Sequence, residues 1–400
     1  MNNLNKRWIY LALGTVSMLF AGILYGWSIL KAPFTGVWTP SELALNFTIT
    51  MTCFCFGGFF GAKLSKRFGV MIAIITAGVL APAGFMLAAR LDGSSVLMLY
   101  LSYGVLAGLG IGIAYNAVIS TVNAWFPDKK GLCSGCLMMG FGASSLLIGS
   151  LVSYLMSAFG WRIAYTMLGS ALGVVLMATA LVLKTPEDLT VLPAPKAKKN
   201  ASVENFESKD YTTGQMLQRR SFWTAFVCLG LLGAVGSSVI SFARDLAISV
   251  DADAALATTL VGVLSVFNGL GRIFTGAVFD AKGRRFTMMA SNILTIAAAG
   301  VTLLAVSIHS LPLCIAGLCL VGMSYGSCPT VSSAFVGAFY GTKYFPTNFS
   351  IMNFNLIGSS LMATACSSLL TISGGYVVPF ATLLALSVVA FLLNFSLKKP

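Results

Sequence analysis

Residues 254–285 read AALATTLVGVLSVFNGLGRIFTGAVFDAKGRR. From Ala254 to Phe279 the stretch carries one charged side chain, Arg272, and then Asp280, Lys282, Arg284 and Arg285 follow within six positions. At about 1.5 Å of rise per residue, residues 254–277 make a helix long enough to cross a hydrocarbon core roughly 30 Å thick. The charged cluster behind it is a loop in water. Arg272 lies eight residues inward from Asp280, hence about 12 Å into the core and near its middle.

The same alternation runs along the whole chain. Of 400 residues, 57% are hydrophobic and 9% charged, far from the roughly 25% charged residues of soluble domains. The solvent for such a surface is lipid. Apolar runs fall at 8–30, 42–62, 70–90, 95–122, 132–157 and 162–184, then at 221–243, 254–277, 286–308, 311–335, 349–372 and 375–397. The spacing predicts an all-α membrane protein of twelve transmembrane helices in two six-helix pseudo-repeats. Residues 1–184 form the first bundle, 185–220 a polar cytoplasmic linker too hydrophilic to span, and 221–400 the second bundle. The first run follows Lys6 and Arg7, is longer than a secretory signal's apolar core and reads as a retained helix.

The net charge of +13 raises nucleic acid as a partner, and the placement of the charge removes it. Lys6 and Arg7, Lys63, Lys66 and Arg67, Lys129 and Lys130, the linker cations, Lys282 to Arg285, Lys343, and Lys398 and Lys399 occupy alternate inter-helix segments. Positive charge on one face predicts cytoplasmic termini and a bacterial inner-membrane location. The nine cysteines lie mostly inside apolar runs, so no disulfide framework follows. Cys133 and Cys136 have redox or zinc spacing, but no second pair accompanies them and no metal or cofactor site is expected. His309 is the single histidine, and no hydrolase, metalloprotease or phosphate-cradling motif occurs. An enzyme is not expected, and energy for work must come from gradients.

The halves repeat. Gly61 before Lys66-Arg67 corresponds to Gly276 before Lys282-Gly283-Arg284-Arg285, and Trp125-Phe126-Pro127 after the fourth run is echoed by Tyr344-Phe345-Pro346 after the tenth. Parallel six-helix repeats are the architecture of one large class of secondary transporters. Gly276-x-x-x-Asp280-x-x-Gly283-Arg284-Arg285 resembles the major facilitator superfamily signature after helix 8, and the copy at Gly61 lacks the aspartate. More narrowly, Trp125-Phe126-Pro127-Asp128-Lys129-Lys130-Gly131-Leu132, Gln215-Met216-Leu217 before Phe222-Trp223, and Asn268-Gly269-x-x-Arg272 resemble the oxalate/formate antiporter family, relatives of the monocarboxylate transporters. The resemblance runs from Tyr25 and Trp27 to the eleventh helix.

Arg272 is the most informative residue. A guanidinium at mid-bilayer costs at least about 2.5–3.5 kcal/mol and so needs an occupation. Its planar fork matches a carboxylate bidentately; the alternative is an arginine tied to backbone carbonyls between helices. Asn268, one turn earlier, either orients that fork, bonds the substrate, or makes a plain interhelical hydrogen bond. The resemblance implies that Tyr25, Tyr115, Asn116, Tyr325 and Asn355 line the site as well, although aromatic bodies with polar tips also serve packing. It further implies that Asp280, Arg284 and Arg285 act in gating, where the bland alternative is the positive-inside charge itself. Gly104, Gly108 and Gly112 form a small-residue ladder that reads as packing.

The expected protein is therefore a carrier of small monocarboxylate anions of lactate or pyruvate size, working by alternating access as a monomer. Proton linkage is the first expectation and oxalate/formate-type exchange the alternative. Oxalate members of the resembled family carry a lysine in helix 11, and Leu356 occupies that place here. The charge pattern also fixes a topology that labelling tests. A cysteine placed at Asp92 should react with an impermeant maleimide from outside only; reaction from the cytoplasm alone would reverse the assignment.

Overall fold

The computed structural model describes residues 3–126, 130–186, 210–341 and 344–397. Pro127, Asp128 and Lys129, the linker from 187 to 209, Lys343, and Lys398 and Lys399 lie outside the described residues, as does the side chain of Asp280. The described residues include 12 helices long and apolar enough to cross a membrane. They are α1 (Lys6–Phe34), α2 (Pro40–Phe68), α3 (Val70–Ala88), α4 (Val96–Ala124), α5 (Cys136–Phe159) and α6 (Trp161–Val182) in the first half. The second half holds α7 (Arg220–Ile248), α8 (Ala254–Phe279), α9 (Ala281–Ser307), α10 (Leu311–Tyr340), α11 (Thr347–Ser373) and α12 (Val377–Phe395). The chain divides into two compact units, Met1–Lys199 and Asn200–Pro400. Among the described residues there is no strand.

Local chemistry sets where these helices begin and stop. Thr39 caps α2, accepting from the Glu42 N–H while the Glu42 carboxylate accepts from the Thr39 N–H, with Pro40 at the first helical position. Asp253 caps α8 by accepting from the Ala255 and Leu256 N–H groups at 2.9 and 2.8 Å. The helical run Ala254–Ser307 is broken at Gly283, in the first turn of α9, whose φ of 73° is a conformation that glycine adopts without strain. Between α3 and α4, Asp92 accepts from the Ser94 hydroxyl and N–H, which holds its carboxyl below the usual carboxylate range.

Four further spans are less regular than their apolar patterns, and among them α7 kinks at Phe242, whose φ is -135°. α1 narrows to 3-10 turns over Gly22–Gly26, α4 widens to π geometry over Tyr100–Ala107, and α11 breaks at Asn353 and Phe354, between Phe345–Met352 and Asn355–Ser373. Such interruptions free backbone groups that apolar surroundings must re-satisfy, and they mark functional segments more often than plain helix does. Residues 210–219, read from sequence as the end of the linker, fold onto the second unit instead. The Tyr211 N–H donates to the Tyr340 carbonyl and the Asn348 amide to the Tyr211 carbonyl, both at 3.0 Å. A short helix, Thr213–Leu217, follows under a capping box of Thr212 and Gln215.

Packing within each unit follows one scheme. In the first, α1 packs on α5, α2 on α4 and α3 on α6; in the second, α7 packs on α11 and α8 on α10. The α2–α4 contact is the glycine ladder at work: a Cβ at Gly108 or Gly112 would overlap the carbonyls of Thr50 and Phe54. The second unit repeats it, with Gly322 and Gly326 of α10 against the carbonyls of Leu264 and Asn268, and Gly271 of α8 against that of Met323. Gly326→Val should therefore wedge α10 from α8 and lower the stability of the detergent-solubilised protein by about 1–3 kcal/mol, the usual cost of overpacking. Gly300→Ala, where nothing lies within 4 Å of the added carbon, should be neutral or stabilising. Thermal unfolding of both variants checks this, and equal midpoints would dismiss the wedge.

Candidate functional site

In the second unit the geometry starts on α8. Asn268 is fully buried and Arg272 is 5% exposed. One helical turn stacks them, and the Arg272 Nε donates to the Asn268 Oδ1 at 3.4 Å. Because its oxygen faces the guanidinium, Asn268 turns its amide nitrogen the other way, where that buried atom has no hydrogen-bond partner among the described residues. Ser265, three residues earlier on the same face, has a buried hydroxyl in the same condition. A buried polar group left so costs about 1–3 kcal/mol, so two such donors on the face of Arg272 point to an external ligand or water.

α10 holds this face in place. Gly326 lies on the Asn268 carbonyl, and the Thr330 hydroxyl donates to the Arg272 carbonyl at 3.5 Å. Tyr325, beside that glycine, is 1% exposed, and its Cβ and ring carbons Cγ and Cδ2 occupy the space that a side chain on Gly236 of α7 would need. A 2.6 Å hydrogen bond between the hydroxyls of Ser324 and Thr295 fixes the rotation of α10 at this level. Asn355 opens the second segment of α11 just past the break, 6% exposed, and packs against Gly230 of α7. One turn on, the Ser359 hydroxyl donates to the Gly230 carbonyl at 2.7 Å. Asn268 and Arg272 thus meet directly, Tyr325 is joined to them only through its chain neighbour Gly326 on the Asn268 carbonyl, and Asn355 shares α7 with Tyr325. Leu356 is half-buried beside it.

In the first unit Tyr25 and Tyr115 meet through a residue the sequence did not single out. Both rings lie 5.2 Å from Phe141 of α5 in edge-to-face contact, and Tyr115 also lies 5.1 Å from Phe54 of α2. Tyr25 stands in the 3-10 segment of α1. Gly22 of that segment lets the backbone touch the Phe141 carbonyl. Asn116 is half-buried and faces Gly58.

The loop residues separate in the structure. The Arg284 guanidinium stands over the Phe339 ring, 4.4 Å from its centroid, and Arg285 is exposed. Cys133 and Cys136 are free thiols like the other seven cysteines.

With twelve membrane-crossing helices in two six-helix units and a charged residue buried in α8, the architecture is that of a membrane carrier. A sequence profile of the Major Facilitator Superfamily matches residues 8–354, and the chain belongs to this family. It is 32% identical over 302 residues to the oxalate:formate antiporter of Oxalobacter formigenes, across 71% of this chain and 66% of that protein. It is 26% identical over 355 residues to the uncharacterized MFS-type transporter YhjX of Escherichia coli (strain K12), across 88% and 85%. With monocarboxylate transporter 12 of Homo sapiens it shares 28% identity over 313 residues, across 72% and 60%. In fold it is similar to the partially occluded inward-open xylose transporter XylE from E. coli, with a TM-score of 0.74, 11% identity and 98% of each chain covered. A bacterial homolog of the human lysosomal transporter Spinster gives a TM-score of 0.72 at 14% identity, covering 98% of this chain and 97% of that one. The protein is a multi-pass transporter of this superfamily.

The seat of Tyr325 on Gly236 is testable without substrate. Gly236→Ala should cost about 1–3 kcal/mol by overpacking, and most of that penalty should vanish when Tyr325 is also cut to glycine, since both its Cβ and its ring stand in the way. Thermal unfolding of the two single variants and the double variant measures the coupling. Additive penalties would show that the glycine answers to some other neighbour.

Proposed function

We propose that the protein carries small monocarboxylate anions of lactate or pyruvate size across the bacterial inner membrane by alternating access, with both termini in the cytoplasm. Arg272 is the carboxylate anchor, and Asn268, Tyr325 and Asn355 in the second unit and Tyr25, Tyr115 and Asn116 in the first line the path. The observation that carries this is the α8 face itself: a buried guanidinium flanked by the open amide nitrogen of Asn268 and the hydroxyl of Ser265. A planar fork with neutral donors beside it suits one carboxylate.

Charge counting sets the choice between one carboxylate and two. Leu356 stands where the oxalate/formate resemblance implies a lysine, and its neighbours Asn353, Asn355 and Ser359 are neutral. A second carboxylate there would be buried without a counter-charge, at a cost of several kcal/mol. No aspartate or glutamate falls at the middle of a span, so a coupled proton would travel with the substrate and Arg272. Exchange of oxalate for formate is the second reading, favoured by the 32% identity to an antiporter of that name. Asp280, Arg284 and Arg285 are assigned to gating on the superfamily pattern.

Counterflow of labelled lactate, pyruvate, formate, acetate and oxalate in proteoliposomes, with and without a pH gradient, tests both readings. Lactate or pyruvate should compete at least tenfold better than oxalate. Arg272→Ala should abolish counterflow in a folded protein, and Arg272→Lys should impair it severely because the charge survives and the fork does not. Normal counterflow by Arg272→Ala would return the arginine to packing. Leu356→Lys should improve oxalate binding; tight oxalate binding by the unchanged protein, with no response to monocarboxylates, would favour the exchanger.

A further inference from the structure

The element that precedes α7 forms a second site, away from the α8 face. Tyr211, Gln215, Gln218 and Arg219 line a cavity of about 310 Å³ at the end of the second unit. The Arg219 guanidinium stands over the Tyr211 ring, 5.3 Å from its centroid, and among the described residues it makes no hydrogen bond or ion pair. The Gln215 Oε1 accepts from the Thr212 N–H at 3.0 Å, so its amide hydrogens are the donors left for a ligand. Asp210, the carboxylate next along the chain, lies against Gly341. The cavity is thus lined by donors and a cation.

Its position says what kind of anion. Trp223 and Val227 stand at i, i+4 spacing on one stripe of α7, and Arg219, in extended conformation, caps that helix immediately before its first turn. Trp223 is 51% exposed and Val227 47%. The Trp223 indole N–H donates to the Leu217 carbonyl at 2.8 Å, tying its polar edge to the element that lines the cavity. A cation, then an amphipathic ring, then an aliphatic side chain is the order of a lipid read from headgroup to chain. Arg220, also exposed, adds a second guanidinium at the same level.

We propose that the Tyr211–Arg219 cavity binds the headgroup phosphodiester of an anionic phospholipid, whose acyl chain lies along Trp223 and Val227. Arg219 takes the phosphate through its fork and Gln215 and Gln218 donate to the remaining oxygens. Two adjacent arginines favour a lipid with net negative charge over a zwitterionic one.

Native mass spectrometry of the full-length protein tests this, with phosphatidylglycerol, phosphatidylcholine and inorganic phosphate as the probes. The unchanged protein should retain phosphatidylglycerol over phosphatidylcholine, and millimolar inorganic phosphate should not displace it. Arg219→Ala should weaken phosphatidylglycerol about fivefold, the factor one surface cation contributes, and leave phosphatidylcholine unchanged. Arg219→Lys, which keeps the charge on a fold that this exposed side chain does not support, should lose less. Undiminished phosphatidylglycerol retention by Arg219→Ala would overturn the site, and so would displacement by inorganic phosphate, which would make it a soluble-anion site.

Discussion

A guanidinium inside a lipid-embedded helix bundle is tolerated only where its neighbours answer its charge and its five donors. Arg272 meets part of that demand on α8, where its Nε donates to Asn268 one turn away, behind the glycine seams that draw α10 onto the helix. Gly326 and Gly271 bring the backbones of α8 and α10 close enough that neither can rotate without collision. The Thr330 hydroxyl then reaches the Arg272 carbonyl, and Ser324 is pinned to Thr295. With the backbone held this way, the place of Arg272 on the α8 face is set by the packing of the two helices.

In the first unit the buried cations, Arg7 and Lys31, stand near the two ends of α1, and the residues brought together between them are aromatic. Tyr25, Phe54, Tyr115 and Phe141 meet on four different helices, each brought close by small residues, with Gly22 under Phe141 and Gly112 against Phe54. Edge-to-face pairs of this kind hold rings at fixed angles and leave the tyrosine hydroxyls as directional tips.

The sequence showed the twelve spans and the buried arginine because both signals are strong in one dimension. Hydropathy runs of twenty residues have few rival explanations, and a lone arginine within one has fewer. The helix interruptions were hidden because they follow from tertiary contact: Gly22–Gly26 has the composition of ordinary helix, and its 3-10 geometry coincides with close approach to Phe141 and Ser144. Phe141 and Phe54 read as core, since a phenylalanine in an apolar run carries no mark of function. Ser265 was invisible for a different reason, because serine is common in membrane helices and only its burial beside Asn268 sets it apart. Residues 210–219 looked like linker on polarity, yet Tyr211 and Met216 are anchored in the core of the second unit.

The central claim is that the Arg272 fork holds a carboxylate. Solid-state NMR on protein labelled with ¹⁵N-arginine in lipid, with ¹³C-carboxylate lactate added, measures it directly through the carbon–nitrogen dipolar coupling. A bidentate pair places guanidinium nitrogens about 2.7–2.9 Å from the carboxylate oxygens, so the carboxyl carbon should show strong dephasing that disappears in Arg272→Lys. Dephasing that persists in Arg272→Lys, or saturable lactate binding with no coupling to any arginine, would contradict the account.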